Sequence, residues 1–271
     1  MKYIFLNLKR FDVPRSAGGV NSISEVKDWG SFIIQNLQKG LGTAETDTTY
    51  VIFFPEAHLL NAQTALEEKS PINLGCQGVH FENISPGAGF GAFTTSLPAT
   101  AAAHLGCTWT IIGHCEERNK LKSIGATNEK ITEIFSKSIN CAVQSGLNIL
   151  YCIGENTEEQ PIKEQVLKEQ LKPILDANNK ANIVIAYEPV WAIGPGKTPP
   201  DEQYINDISS YIKSITPHPI VYGGGLKSEN ATMLSKIENL SGGLIALTRF
   251  TDDFGFYPDE YLQVVKLYLN K

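Results

Sequence analysis

The sequence predicts an α/β fold: a single-domain (β/α)₈ barrel over residues 1–271, with eight parallel strands each followed by a helix or helix-length connection. Three observations carry that expectation. Short apolar runs alternate with segments of helical periodicity from one end of the chain to the other. Several of the runs are rich in Val, Ile, Tyr and Phe and lack in-out alternation, as strands covered on both faces of a parallel sheet do. No linker, low-complexity tract or abrupt change of composition divides the chain. An open doubly wound sheet would share this alternation, but no G-x-G-x-x-G follows the first run.

The predicted strands are 3–8, 50–54, 72–75, 108–112, 148–153, 182–187, 220–222 and 244–247. Between them, 129–145 places Ile131, Ile134, Phe135, Ile139, Ala142 and Val143 on one helical stripe, closed by Gly146. Residues 164–175 repeat the pattern with Val166, Leu167, Leu171 and Ile174. Asp201 opens a further helix bearing Tyr204, Ile205, Ile208, Tyr211 and Ile212, after a turn marked by Pro199 and Pro200. Residues 261–269 form the last amphipathic helix.

Bulk properties narrow the function. A hydrophobic content of 42% with 19% charged residues suits a soluble globular protein with a large core. The net charge of −6 argues against a nucleic-acid or membrane surface, though a locally positive pocket can still take an anionic substrate. Cys76, Cys107, Cys115, Cys141 and Cys152 include no C-x-x-C pair and no zinc spacing, which fits free thiols in a reducing cytosol. The N-terminal apolar run is short and interrupted by Asn7 and Lys9, unlike a signal peptide, and no run is long enough to span a bilayer. A cytoplasmic protein is expected.

In a barrel of this kind the active site gathers on the loops that follow the strands. Strand one ends in Asn7-Leu8-Lys9, strand four in Gly113-His114-Cys115-Glu116, and strand six in Tyr187-Glu188-Pro189-Val190-Trp191. Singly, each is an ordinary polar strand end. Together they match a definite chemistry. Moving a carbonyl by one carbon needs a carboxylate to remove a proton beside C=O, a donor to polarise the carbonyl, and a cation for the charge that develops. Glu188, His114 and Lys9 supply one of each. The segment 189–197 begins with rigid residues and ends near glycines, the make-up of a lid, and Trp191 and Ile193 are large apolar residues for a surface loop. Gly196-Lys197-Thr198 is not a P-loop, because the position that requires the first glycine holds Trp191. Gly223-Gly224-Gly225 after strand seven offers backbone N–H groups to a phosphate.

These residues resemble the triosephosphate isomerase family, in order and over nearly the whole chain. The stretches that carry the resemblance are Ile111-Ile112-Gly113-His114-Cys115-Glu116-Glu117-Arg118, Cys152-Ile153-Gly154-Glu155, Ala186-Tyr187-Glu188-Pro189-Val190-Trp191-Ala192-Ile193-Gly194, and Tyr222-Gly223-Gly224 with Glu229-Asn230-Ala231. The family pairs a glutamate base with a neutral histidine electrophile. The resemblance implies that Glu188 is the base, His114 the electrophile, and Asn7 and Lys9 the strand-one pair that contacts substrate. It also implies that Glu116 is the motif's acidic residue and that Gly194 gives a lid N–H to phosphate. The implied reaction is the interconversion of glyceraldehyde 3-phosphate and dihydroxyacetone phosphate, in glycolysis and gluconeogenesis. It needs no metal and no cofactor, and the assembly is a homodimer.

The chain also departs from that pattern. Leu247-Thr248-Arg249-Phe250 stands where the family usually has Gly-Gly after strand eight, Gly225 where it has Ser, Leu8 where it has Trp, and Cys115 where it has Ser. Thr94-Thr95-Ser96 replaces the Thr-Gly-Glu of the dimer-forming third loop, and Glu117 replaces the Arg that pairs with it, so the dimer contacts are expected to differ. Two expectations follow for the anionic end of the substrate. Arg249 can replace the lost backbone donors, since its fork matches a phosphate. Alternatively, the substrate is a related sugar phosphate of four or five carbons. A non-catalytic metabolite-binding relative is a third reading, opposed by retention of all three reactive residues and the lid.

Overall fold

In the computed structural model, residues 1–42, 47–175, 182–194 and 196–270 are described. Eight parallel strands run in sequential order around a closed barrel. They are β1 (Lys2–Asn7), β2 (Thr48–Phe54), β3 (Ile72–Cys76), β4 (Trp109–Ile112), β5 (Asn148–Ile153), β6 (Ile183–Tyr187), β7 (Ile220–Tyr222) and β8 (Leu240–Ile245). Closure comes from β8 pairing with β1, from Tyr3 opposite Gly242 to Leu6 opposite Ile245. The surrounding helices are α1 (Trp29–Leu41), α2 (Leu59–Ala65), α3 (Ala99–His104), α4 (Cys115–Ser123), α5 (Asn128–Gln144), α6 (Lys163–Leu175), α7 (Glu202–Ile215), α8 (Ser228–Leu234) and α9 (Pro258–Leu269).

The missing in-out alternation has its physical reason here: both faces of each strand are buried. Tyr3, Phe5, Val51, Phe53, Trp109 and Ile111 point inward and fill the barrel with neighbours from the other strands. Ile4, Leu6, Tyr50, Ile52 and Phe54, the alternate residues, pack outward against helices. Inside, Phe5 stacks on Phe53 with centroids 5.8 Å apart and meets the edge of Trp109 at 5.3 Å. Gly75 on β3 gives Phe53 its space, because a Cβ there would lie 2.3 Å from the Phe53 ring.

The helices start where short polar side chains supply acceptors. Thr127 caps α5 by accepting from Lys130 N–H, and Asp201 caps α7 by accepting from Tyr204 N–H at 2.8 Å. Ile205, Ile208 and Ile212 of α7 are buried, as the stripe predicts. Strand eight begins earlier than expected and ends at Ile245. Its first four residues include Gly242 and Gly243, which carry no apolar signal, and Leu247 lies beyond it in a loop. No helix among the described residues is long and apolar enough to cross a membrane.

Candidate active site

The strand ends open into a cavity of about 370 Å³. Asn7, Lys9, His114, Glu116, Glu188, Gly194, Gly223, Gly224 and Gly225 all line it. Of the residues expected from sequence to form the site, Arg249 alone does not.

The turn out of β4 fixes the histidine. Gly113 has φ +81°, and a Cβ there would meet Arg118 Nη2 at 2.8 Å and the Cys152 carbonyl at 2.9 Å, so only glycine turns the chain at this point. His114 then caps α4, its Nδ1 accepting from Glu116 N–H at 3.2 Å. A ring nitrogen that accepts carries no hydrogen, so the neutral imidazole holds its proton on Nε2. Nε2 lies 3.3 Å from Glu188 Oε1, while Glu188 Oε2 accepts from Cys115 N–H at 2.9 Å.

Glu188 is 2% exposed. Burial pushes its carboxyl above the ordinary carboxylate range, and the polar contacts with His114 and the Cys115 N–H draw it only partly back. A raised pKa makes a stronger proton acceptor at neutral pH. The neighbouring Cys115 thiol is pushed up to about 12 by burial and by the charge of Glu188, so it is a neutral thiol rather than a nucleophile. Donor atoms of His114, Cys115 and Glu188 lie within 4.8 Å of one another, a set of types that can ligate a transition metal.

Lys9 is held in a demanding conformation, with φ +40°. Asn7 Oδ1 accepts from Lys9 N–H at 3.0 Å, and Gln77 Nε2 donates to the Lys9 carbonyl at 2.9 Å and to Asn7 Oδ1 at 3.3 Å. Gln77 thereby stiffens the strand-one turn, a part that sequence reading missed because Gln77 lies 68 residues away along the chain. Lys9 Nζ reaches Glu116 Oε1 at 2.5 Å. Burial alone would raise Glu116, but the hydrogen bond and charge of Lys9 outweigh it and hold the carboxyl below its usual range.

The first part of the lid is tied down by a second buried carboxylate. Glu155 is fully buried, and its Oε1 accepts from Trp191 Nε1 at 2.8 Å, Tyr187 Oη at 2.9 Å and Tyr204 Oη at 3.0 Å. The sequence motif contains Glu155 without indicating that it holds Trp191. Of the expected lid, 189–197, Pro195 lies outside the described residues.

At the β7 and β8 side the structure corrects one expectation. The Arg249 guanidinium is engaged by Glu260, with Nε to Oε1 at 2.7 Å, and it stacks over the Tyr257 ring at 3.8 Å. It is turned toward α9 rather than the cavity. Besides Lys9, the cations that line the cavity are Lys227, just past the glycine run, and Lys197 of the lid segment. Neither was singled out from sequence, although a lysine two residues after three glycines was the available signal. Glu117 accepts from Gly113 N–H at 2.7 Å within its own chain, and Thr95 takes φ +64°.

Comparison with known proteins follows the same lines. The sequence model of the family described as triosephosphate isomerase matches residues 24–254. Triosephosphate isomerase of Pelodictyon phaeoclathratiforme is 32% identical over 248 residues, covering 86% of this chain and 91% of its own. That of Psychrobacter sp. is 30% identical over 261 residues, covering 88% and 92%. A crystal structure of triosephosphate isomerase from Bartonella henselae matches with a TM-score of 0.74 over 99% of both chains, at 23% identity. That last likeness speaks for the fold.

Proposed function

The chain belongs to the triosephosphate isomerase family, and from that premise we propose that it is an aldose–ketose isomerase interconverting glyceraldehyde 3-phosphate and dihydroxyacetone phosphate through an enediolate. Glu188 takes the proton from carbon. His114, through Nε2–H, polarises the carbonyl and passes protons between the two oxygens. Lys9, beside Glu116, offsets the negative charge of the enediolate, with Asn7 on the same strand end. Gly194, Gly223, Gly224 and Gly225 face the substrate from the lid and from β7.

One observation carries this reading: a buried carboxylate with a raised pKa stands 3.3 Å from the protonated nitrogen of a neutral imidazole. That is a base and an acid of matched reach on one cavity wall. The substrate is a phosphorylated sugar, and a four- or five-carbon sugar phosphate is the second reading. It is favoured by Leu247 and Phe250 at the cavity wall, where the family pattern would leave glycines. We place the protein in the cytoplasm, in glycolysis and gluconeogenesis, as a homodimer. Phe90, 89% exposed on the loop between β3 and α3, supports assembly through the altered third loop.

The test is a coupled isomerase assay on glyceraldehyde 3-phosphate beside a panel of four- and five-carbon aldose and ketose phosphates. Turnover of the triose phosphate with the highest kcat/KM is expected. Faster turnover of a longer substrate would shift the assignment to the second reading, and absence of turnover on every member would overturn the isomerase assignment.

A further inference from the structure

A phosphate bound at this mouth needs donors, and part of the backbone near β7 and β8 is already engaged. Leu226 N–H donates to the Leu244 carbonyl at 3.0 Å, and Lys227 N–H to Asn230 Oδ1 at 2.9 Å. Thr248 N–H and Arg249 N–H both donate to the Gly255 carbonyl, each at 3.1 Å. These bonds close the loop 246–257 on itself, and each amide donates only once effectively. The Arg249 guanidinium is bound to Glu260. Beyond Leu247 the loop therefore offers a ligand neither the Thr248 and Arg249 amides nor its arginine.

Gly224, Gly225, Ala246 and Leu247 line the cavity, but a backbone N–H carries no full charge, and the charge on this side comes from side chains. Lys227 is half-buried, lines the cavity, and holds Nζ 4.6 Å from the centroid of the Phe250 ring. Phe254 meets Phe250 edge-on at 6.0 Å, so two aromatic rings border the cavity beside this ammonium. Among the described residues neither Lys227 nor Lys197 forms an ion pair, whereas the third cavity lysine, Lys9, is paired with Glu116. An ammonium set over an aromatic face is held in place without being neutralised.

On the isomerase reading above, we propose that Lys227 is the anchor for the substrate's phosphate, joined by Lys197 from the lid segment. Side-chain cations thus meet the charge of the dianion on the wall that also carries Gly224, Gly225, Ala246 and Leu247. The site draws on full charge as well as on backbone N–H groups to hold a phosphate monoester, and its affinity falls with ionic strength.

The test titrates inorganic phosphate calorimetrically into the full-length wild type, Lys227→Met and Lys227→Arg at fixed ionic strength, and measures KM for glyceraldehyde 3-phosphate on the same samples. Met keeps the aliphatic stem against Phe250 and removes only the charge. The phosphate Kd and KM are expected to rise together by about tenfold or more in Lys227→Met, as for loss of a charge-assisted hydrogen bond, and Lys227→Arg is expected to recover most of that loss. A Lys227→Met protein that binds phosphate as the wild type does overturns the proposal, as does a wild type that binds no phosphate. If the isomerase reading itself is wrong, no variant turns over and the phosphate titration still discriminates. If only the anchor is wrong, the wild type turns over and the two titrations coincide.

Discussion

Substituting Gly223 with Ala adds one methyl group beside the proposed base, and the structure says how far it intrudes. The new Cβ would lie 2.8 Å from Glu188 Cγ and 2.9 Å from the Tyr187 carbonyl. Against an ordinary carbon contact the first distance is short by roughly 0.6 Å or more. The Tyr187 carbonyl is fixed, because it accepts from Gly223 N–H at 2.7 Å in the β6–β7 pairing. The Glu188 side chain must therefore give way. Its carboxylate is held at Oε1 by His114 and at Oε2 by Cys115 N–H, so displacement weakens one or both of these contacts. A misplacement of about 1 Å at a reacting group costs on the order of 100-fold in rate. Gly223→Ala is thus expected to lower kcat by roughly 10- to 100-fold, with the overpacking costing about 1–3 kcal/mol of stability. Steady-state kinetics and thermal unfolding on one sample read both. A kcat within about twofold of wild type would show that the carboxylate position does not govern the rate, and would refute the steric argument.

Two further outcomes follow from the buried carboxylates. Glu188 has its pKa raised by burial, so the folded chain holds that proton more tightly than the unfolded one, and stability falls as pH rises from the ordinary carboxylate range through the raised value. Glu188→Gln removes this penalty: its Tm should exceed that of wild type at neutral pH and match it near pH 4, and an offset independent of pH would contradict the linkage. Glu155→Leu takes the common acceptor from Tyr187, Trp191 and Tyr204, of which Tyr187 is almost fully buried. Its urea midpoint should report a loss on the order of 2–4 kcal/mol, and a loss below about 1 kcal/mol would mean that these donors find other partners.

The strand ends were legible because the chemistry demands ionisable groups at the barrel mouth, and Lys9, His114 and Glu188 stand there in chain order. Strands buried on both faces declared themselves through their unbroken Val, Ile, Tyr and Phe runs. Support for the site was less readable. Gln77 and Glu155 act through bonds to Lys9 and Trp191, partners 68 and 36 residues away, and neither type nor spacing marks them. Arg249 looked like an anion binder because its segment stands where the family usually has Gly-Gly and its fork matches a phosphate. Its real partner, Glu260, lies eleven residues on in α9, where local sequence cannot reveal which way the guanidinium turns. Lys227 is the converse case: it stands two residues past a glycine run, and local sequence does not reveal that its ammonium faces the cavity.

The most direct test of Glu188 as carbon base is conversion of dihydroxyacetone phosphate in deuterated water, followed by product analysis for carbon-bound deuterium, in wild type and Glu188→Gln. The wild type should incorporate deuterium in step with turnover, while the variant, folded and still binding phosphate, should lose both by a factor on the order of 10²–10⁴. Deuterium incorporation by Glu188→Gln at the wild-type rate would contradict the account.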